Sequence, residues 1–222
     1  MASTSSTAAN CMRIKLSGVG KRYRREWILR RIDLDFQEGG RYGITGPNGS
    51  GKSTLLKMLS GHLTPTKGEI EFLHQNKTVE IGQVYNHLAY AAPYIELIEE
   101  FTLDEAIRFH ERFRPLLPGL TLDAMIDRLG LKRARSRPLA QFSSGMKQRV
   151  KLALACCTAA DYLLLDEPTT NLDEQGIAWY QELLQDFVGD RLLIVASNVA
   201  DDYRICPTLI DIMAYKLARP KR

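Results

Sequence analysis

Short runs in which apolar and polar residues alternate fill the opening of this chain, and such alternation is typical of half-buried β-strands. These runs lie at 12–16, 32–36, 42–45 and 69–73. Farther along, two runs are continuously apolar, as expected of parallel strands that are buried on both faces. They lie at 162–165 and 192–196. The pattern predicts a β-rich flank at the start and a buried parallel sheet at the centre.

Other segments carry apolar residues at the spacing of one helix face. Two of them cover 103–113 and 122–129 and are separated by a stretch that contains prolines. A third, 150–158, is apolar nearly all round, which predicts a helix that is buried on several sides. A fourth covers 177–187. Because these helices alternate with the buried strands, the sequence predicts an α/β fold, with a mostly helical insert over about 95–160.

Composition places the chain among ordinary globular proteins. Of its 222 residues, 45% are hydrophobic and 25% are charged, which is sufficient for a substantial core. A net charge of +4 is too small to indicate nucleic-acid binding by itself. No run approaches the ~20 consecutive apolar residues of a membrane span, and the start of the chain does not have the pattern of a signal segment. We therefore expect a cytosolic protein, or one held on a membrane by its partners.

Residues 1–10 are small and polar, and we interpret them as a disordered leader. The four cysteines, Cys11, Cys156, Cys157 and Cys206, do not have metal-ligand spacing. Cys156 and Cys157 lie within a predicted buried helix. Buried free thiols in a reducing compartment are therefore the expected state of these side chains.

One stretch carries the strongest chemical signal, because it fits the phosphate-binding pattern G-x-x-x-x-G-K-[ST] between a predicted strand and an amphipathic run. Its residues are Gly46, Pro47, Asn48, Gly49, Ser50, Gly51, Lys52, Ser53 and Thr54. Glycines allow successive backbone N–H groups to face a polyphosphate, and the start of the next helix adds its dipole. Lys52 would contact the β- and γ-phosphates, and the Ser53 hydroxyl would bind Mg²⁺. The chain is predicted to bind a nucleoside triphosphate.

Two acidic residues follow the buried run 162–165. Asp166, at the end of the predicted strand, is expected to reach Mg²⁺ opposite Ser53, directly or through water. The alternative for Asp166 is a structural role as a cap of the next turn. Glu167 is the candidate general base that would orient and deprotonate an attacking water.

Further motifs flank this strand. Phe142-Ser-Ser-Gly-Met146 lies upstream, and Asn171-Leu-Asp173 lies downstream. This order of motifs resembles the ATP-binding cassette family, the nucleotide-binding subunits of ABC transporters, over residues of about 12–215. The segment from Phe142 to Arg149 is similar in particular to cassettes of the ABC-2 exporter type.

The resemblance implies a P-loop NTPase fold of the ABC ATPase type. Its core sheet would be mixed or parallel, with an antiparallel β flank and a helical subdomain. One domain would cover 11–222, with a RecA-like core and β flank formed by 11–94 and 161–222. The helical subdomain would then be the insert of about 95–160.

The resemblance also implies roles outside the phosphate loop. In the family, the signature segment contacts the ATP that the opposite subunit holds, and here that contact falls to Ser143, Ser144 and Gly145. These residues would also cap the helix that follows them. The family usually has an aromatic residue before the phosphate loop that stacks on adenine. Tyr23 is our candidate for this role, and Trp27 is a competitor.

Two positions depart from the family's pattern. The switch histidine after the strand 192–196 is replaced by Asn198, which can donate one hydrogen bond to the γ-phosphate but cannot carry charge. We retain Asn198 as a catalytic candidate. The glutamine expected after 88–91 is also missing, because the sequence continues as Ala92-Pro93-Tyr94 and Pro93 has no polar side-chain atom. ATP binding should survive both changes, whereas slow turnover is expected.

These features predict the ATPase subunit of an ABC transporter, with ATP and Mg²⁺ as its cofactors. One phosphate loop and one signature in the chain predict a homodimer, or a pair with a homologous cassette, that holds ATP at shared surfaces. A separate integral membrane permease would be its partner. The chain would then lie on the cytoplasmic face of the inner membrane. Nucleic acid is not expected as a partner.

Two alternatives stay open. The first is a nucleotide-gated module with weak or no hydrolysis, which is motivated by Asn198 and Pro93. The second is a soluble ABC protein that acts on ribosomes or DNA instead of in transport. Such proteins usually carry two cassettes or a long coiled-coil insert, and this sequence has neither.

Overall fold

The computed structural model describes residues 12–216, so the predicted leader 1–10 and Cys11 lie outside the described residues. The strands are β1 (Met12–Tyr23), β2 (Glu26–Phe36), β3 (Arg41–Thr45), β4 (Lys67–His74), β5 (Lys77–Thr78), β6 (Leu88–Ala91), β7 (Tyr162–Asp166), β8 (Leu192–Ser197) and β9 (Thr208–Asp211). The helices are α1 (Lys52–Leu59), α2 (Leu103–Phe113), α3 (Leu122–Leu129), α4 (Ser144–Cys157) and α5 (Glu174–Phe187).

The opening strands form a four-stranded antiparallel sheet in the order β2-β1-β4-β5. Alternate side chains of β1, including Met12, Ile14 and Leu16, are buried, as the period of a strand requires. Ile14 pairs with Phe36 of β2 and Phe72 of β4, so apolar residues meet across the strands. The buried face of this sheet packs against α1 and one face of the second sheet.

The second sheet is parallel throughout, in the order β6-β7-β8-β3-β9. Along β7, Tyr162 and Leu164 pack toward the antiparallel sheet, whereas Leu163 and Leu165 pack toward α4 and α5. Burial on both faces explains the continuous apolar run, since each buried leucine contributes about 1.5–3 kcal/mol of transfer free energy. The predicted α/β class with a parallel core sheet and an antiparallel flank is confirmed.

Helices α2 and α3 pack with α4 around a hydrophobic cluster of their own. Both helices begin at threonine N-caps, and Gly130 ends α3 in the left-handed conformation. Their predicted bounds are confirmed, but Phe113, predicted on the apolar face of α2, is 69% exposed. It is the last residue of α2 and lies beyond the cluster. Within residues 12–216, no helix has the length and apolar content that a bilayer crossing requires.

Three elements extend beyond the hydrophobic runs of the sequence or do not have such a run. Strands β1 and β2 extend beyond the alternating runs, because they form a long twisted pair with irregular register. Helix α4 starts at Ser144, six residues before its apolar stretch, since its first turns carry polar side chains. Strand β9 is an edge strand that pairs with β3 and is largely exposed, so it lacks a hydrophobic signature.

One buried cation joins the ends of two helices. The Arg191 side chain is 2% exposed, and its guanidinium donates to backbone carbonyls at the end of α4 (Cys156 at 2.7 Å and Thr158 at 2.9 Å). It also donates to Phe187 and Val188 at the end of α5. A cation at a helix C-terminus is favourable because the last carbonyls carry a partial negative charge.

We expect Arg191→Met to lower the free energy of unfolding by about 2–4 kcal/mol, because it leaves several buried carbonyl groups without donors. Urea unfolding followed by circular dichroism measures this change. Arg204→Met is the matched control, since Arg204 is exposed, and it should stay within about 0.5 kcal/mol of the parent. Equal stability of the two variants would contradict the capping role.

Candidate phosphate-binding site

The loop between β3 and α1 lies at the carboxyl edge of the parallel sheet. Gly46 and Gly51 have φ values of 146° and 109°, which side chains of L-residues rarely adopt. A Cβ atom at Gly46 would lie 2.6 Å from Cγ2 of Ile212. Two of the fixed glycines of the motif are therefore required by the backbone. The turn presents the start of α1, with its unpaired N–H groups, to the interior of the loop.

Lys52 is directed back into this loop. Its side chain is 3% exposed, and its ammonium group donates to the carbonyls of Gly46 at 2.8 Å and Pro47 at 3.2 Å. The Ser50 hydroxyl is buried in the same turn and has no hydrogen-bond partner among the described residues. A polyphosphate placed here would meet a preformed positive charge in a cradle of backbone N–H groups.

The Asp166 carboxyl ends β7 and is 1% exposed. Neither oxygen meets the geometry of a hydrogen bond to a described residue. Burial raises the pKa of this carboxyl, while the Ser53 hydroxyl and the Lys52 charge act to lower it. The buried Asp166 carboxylate and the Ser53 hydroxyl beside it form an oxygen-rich pair, and oxygen ligands suit Mg²⁺. Asp166 and Ser53 therefore fit the predicted metal role, and the alternative of a turn cap finds no bond to support it.

Glu167 follows directly and has a φ of 44°, which is uncommon for a residue with a side chain. The backbone is held in this conformation because the Glu167 N–H donates to the Ala196 carbonyl at 2.8 Å. The Glu167 carboxylate lies 3.8 Å from the Lys52 ammonium and is one-third exposed. Strained backbone at the end of a strand is often found at functional sites, and here it directs a carboxylate toward the phosphate loop.

A cavity of about 230 Å³ opens onto the loop. Its lining residues are Tyr23, Ile28, Gly49, Ser50, Gly51, Lys52, Ser53, Thr54 and Glu167. The Tyr23 ring is 48% exposed at this opening, where a flat base could stack. Its competitor Trp27 does not line the cavity and lies instead between the guanidinium groups of Arg22 and Arg30.

The signature segment is not part of this cavity. Ser143 caps α4 by accepting from the Met146 N–H at 3.2 Å, and both Ser143 and Ser144 are exposed. A Cβ atom at Gly145 would lie 3.0 Å from the Asn171 carbonyl, so the segment packs against the loop after β7. Within one chain, the structure does not bring Ser143, Ser144 or Gly145 to the phosphate loop.

Asn198 follows β8, between the strand that ends at Asp166 and the strand that enters the phosphate loop. Its side chain is exposed. In the Asn171-Leu-Asp173 turn, Asp173 is the N-cap of α5 and accepts from the Gly176 N–H at 2.7 Å. Asn171 itself adopts a φ of 67°.

Sequence reasoning missed a tyrosine pair beside Asp166. The hydroxyls of Tyr90 and Tyr94 share a hydrogen bond, and the Lys57 ammonium lies 4.2 Å from the Tyr94 ring centre. Burial raises the pKa of both tyrosines, and the Asp166 charge adds to this shift. Tyr90 lies in β6, and Tyr94 lies in the segment after β6, where the expected glutamine is missing. The adjacent sequence Ala92-Pro93-Tyr94 was visible, but only the fold brings Tyr94 near the carboxylate.

A second buried carboxylate, Asp202, was also missed. Burial raises its pKa, and hydrogen bonding to Ser197 and Thr169 acts to lower it. The Glu167 charge acts on it as well, so Asp202 lies within electrostatic reach of the candidate base. Asp202 directly follows Asp201, and nothing in the sequence distinguishes the buried carboxylate from its exposed neighbour.

Comparison with known proteins gives a consistent result. Residues 29–170 match the family model described as ABC transporter. The uncharacterized ABC transporter ATP-binding protein YcbN of Bacillus subtilis is 32% identical over 88% of this chain. The cytochrome c biogenesis ATP-binding export protein CcmA of Cupriavidus pinatubonensis is 35% identical over 77% of the chain. The chain spans 65% of YcbN and 76% of CcmA.

Among solved structures, a dimeric post-hydrolysis state of the ATP-binding cassette MJ0796, bound to ADP and Pi, superposes with a TM-score of 0.77. The two chains are 23% identical, and the match covers 93% of this chain and 97% of the MJ0796 chain. At that identity the similarity supports the fold, which is the ABC cassette fold.

We expect Asp166→Asn to stabilise the chain without nucleotide or Mg²⁺. Burial raises the pKa of the Asp166 carboxyl above its ordinary value of 3.8, so the folded chain keeps this proton at pH values at which the unfolded chain has lost it. The free energy of unfolding therefore falls as the pH rises above 3.8. The amide removes this cost and should raise the free energy of unfolding at pH 7 by about 1–3 kcal/mol.

Urea unfolding between pH 7 and pH values below 3.8 provides the measurement, and the difference should shrink as the pH falls. Asp201→Asn is the control at an exposed carboxylate and should differ from the parent by less than about 0.5 kcal/mol. If Asp166→Asn were no more stable than the parent at pH 7, the prediction would be wrong, and a hydrogen bond or a charge would offset the cost of burying the carboxylate.

Proposed function

The chain belongs to the ABC transporter family, and on that premise we propose that it is an ATP-binding and ATP-hydrolysing subunit that drives a separate membrane protein. The observation that carries this proposal is the convergence of four groups at one edge of the sheet. The phosphate loop, the buried Lys52 ammonium, the unpaired Asp166 carboxylate and the strained Glu167 all meet there.

ATP would bind with its phosphates in the loop and its adenine against Tyr23. Lys52 would exchange its contacts with the Gly46 and Pro47 carbonyls for contacts with the β- and γ-phosphates. Mg²⁺, held by Ser53 and Asp166, would neutralise phosphate charge when bound. Glu167, partly exposed and next to Lys52, would orient water toward the γ-phosphate and accept its proton.

The active unit is inferred to be a dimer. The signature residues Ser143, Ser144 and Gly145 lie outside their own chain's cavity, and two of them are exposed at a helix N-terminus that can receive an anion. A second chain related by a two-fold axis would supply its signature to this cavity and receive the reciprocal contact. The partner is a second copy or a homologous cassette, and the dimeric state of the MJ0796 cassette supports this arrangement.

A membrane partner is inferred from an apolar groove of about 380 Å³ beside the segment 92–94. Its rim includes the exposed rings of Phe109 and Phe113. Lys151 lines the groove and donates to the Pro93 carbonyl of this segment at 3.1 Å. We propose that a cytoplasmic segment of an integral permease fills the groove, which would place the chain on the cytoplasmic face of the membrane. Nucleic acid is not proposed as a partner.

We expect Glu167→Gln to lower the rate of phosphate release by about 10²–10⁴-fold while ATP still binds, because the amide cannot accept a proton. The ATP-bound variant should then accumulate as a dimer, measured by light scattering with ATP and Mg²⁺. Lys52→Ala is the companion variant, in which nucleotide affinity should fall by about 10- to 100-fold through loss of charge-assisted hydrogen bonds. Equal rates of phosphate release by the parent and Glu167→Gln would contradict the proposed ATPase activity. A Glu167→Gln protein that stays monomeric with ATP and Mg²⁺ would contradict the proposed dimer.

A second candidate function is a nucleotide-gated module that dimerises on ATP and hydrolyses it weakly. The exposed Asn198, which cannot carry charge, and the absence of a glutamine at 92–94 favour it. Asn198→His should then raise turnover roughly 10-fold or more, since one transition-state donor is worth about 10²–10³-fold. Unchanged turnover would mean that Asn198 supports hydrolysis as well as a histidine does. Asn198→Gln is the matched control, because it changes side-chain length without adding charge.

A further inference from the structure

A cluster of two histidines and one aspartate lies at the amino edge of the parallel sheet, away from the phosphate loop. His74 is the last residue of β4, in the antiparallel sheet. His87 directly precedes β6, and Asp161 directly precedes β7. The nucleotide site occupies the opposite, carboxyl edge of these strands, so the cluster has no part in the function proposed above.

The backbone holds two of these residues firmly together. The Asp161 N–H donates to the His87 carbonyl at 2.8 Å, and the Tyr162 N–H donates to the same carbonyl at 3.1 Å. Tyr162 is fixed in turn by its hydroxyl, which donates to the Leu59 carbonyl at 3.1 Å. The positions of His87 and Asp161 are therefore set by the start of the parallel strands.

The three side chains converge on one point. Nδ1 of His87 lies 2.5 Å from one Asp161 oxygen, and Nε2 of His74 lies 3.6 Å from the other. The two imidazole rings are 4.7 Å apart between centroids. One potential ligand atom from each residue lies within 4.8 Å of the other two. All three side chains are between 16% and 27% exposed, so an ion could enter from solvent.

His87 and Asp161 share a hydrogen bond, whereas the His74–Asp161 distance has the spacing of two ligands on one metal. At 3.6 Å, the contact between His74 and Asp161 is too long for a hydrogen bond. Tetrahedral Zn²⁺ with bonds of about 2.0–2.2 Å to nitrogen and oxygen separates its ligand atoms by roughly 3.3 Å. His74 is already near that separation from Asp161, and His87 would need to move by less than about 1 Å.

We propose that His74, His87 and Asp161 form a binding site for a transition-metal dication of the Zn²⁺ class, with water completing the coordination. Two imidazoles and one carboxylate are the donor types that Zn²⁺ accepts, whereas Mg²⁺ and Ca²⁺ select oxygen. Because His74 belongs to the antiparallel sheet and the other two ligands to the parallel sheet, the ion would link the two sheets. Arg114 interacts electrostatically with Asp161 and is the competing cation at this site.

The test uses Zn²⁺ alone as the probe on the full chain, without nucleotide and after removal of any polyhistidine tag. All proteins carry Cys11→Ser, so that this thiol cannot act as a ligand. Equilibrium dialysis should give saturable binding of one Zn²⁺ per chain. His74→Gln and His87→Gln should each weaken binding at least about 10-fold, since losing even an outer partner of a metal ligand costs roughly 10–100-fold.

Thermal unfolding gives an independent readout. At Zn²⁺ concentrations about 100 times the parent's dissociation constant, the parent's Tm should rise by about 5–10 °C, and those of the two variants by about half as much or less. His62→Gln is the matched control, because His62 is an exposed histidine elsewhere, and it should behave like the parent. Asp166→Asn should also bind Zn²⁺ normally, which separates this site from the nucleotide site.

Co²⁺ substitution identifies the ligands, since nitrogen and oxygen donors give visible d–d bands without the intense thiolate charge-transfer band of cysteine ligation. Two results would overturn the proposal. One is the absence of saturable Zn²⁺ binding by the parent, which would leave the cluster as a hydrogen-bonded His87–Asp161 pair. The other is retention of parental affinity by either His74→Gln or His87→Gln.

Discussion

The candidate site depends on one constraint, which is that three neighbouring parallel strands end at the same edge of the sheet. Thr45 of β3 pairs with Ser197 of β8, and Asp166 of β7 pairs with Ala196 of β8. The phosphate loop and Glu167 each continue directly from one of these strands. Parallel pairing therefore brings together groups that are more than a hundred residues apart in sequence, and burial on both faces of the sheet holds them in register.

Several features of the candidate site lower the free energy of unfolding of the isolated chain. Among residues 12–216, the buried side-chain oxygens of Asp166 and Ser50 make no contact that meets hydrogen-bond geometry, and Glu167 has a strained backbone. Each feature opposes folding and favours a ligand that supplies the missing charge or bond. The segment Ser143–Gly145 is consistent with this account, because it presents an exposed, capped helix N-terminus that lies outside its own chain's cavity. Nucleotide and a second chain would together satisfy groups that one chain leaves open.

The two edges of the parallel sheet have different roles in this account. The carboxyl edge carries the proposed nucleotide site, since loops that follow the strands converge there. The amino edge is where His87 and Asp161 meet His74 of the antiparallel sheet. Arg191, which directly precedes β8, lies at the amino edge as well and connects the ends of α4 and α5 through buried hydrogen bonds to their carbonyls.

The sequence by itself determined the features that depend on neighbours along the chain. The phosphate loop, the helices 103–113 and 122–129 and the buried strands were readable because motif spacing and hydrophobic period are local properties. Tertiary structure alone decided what depends on distant contacts. It placed Tyr94 beside Asp166 and favoured Tyr23 over Trp27 at the cavity. It also brought His74, His87 and Asp161 together, because strand pairing sets which distant residues meet.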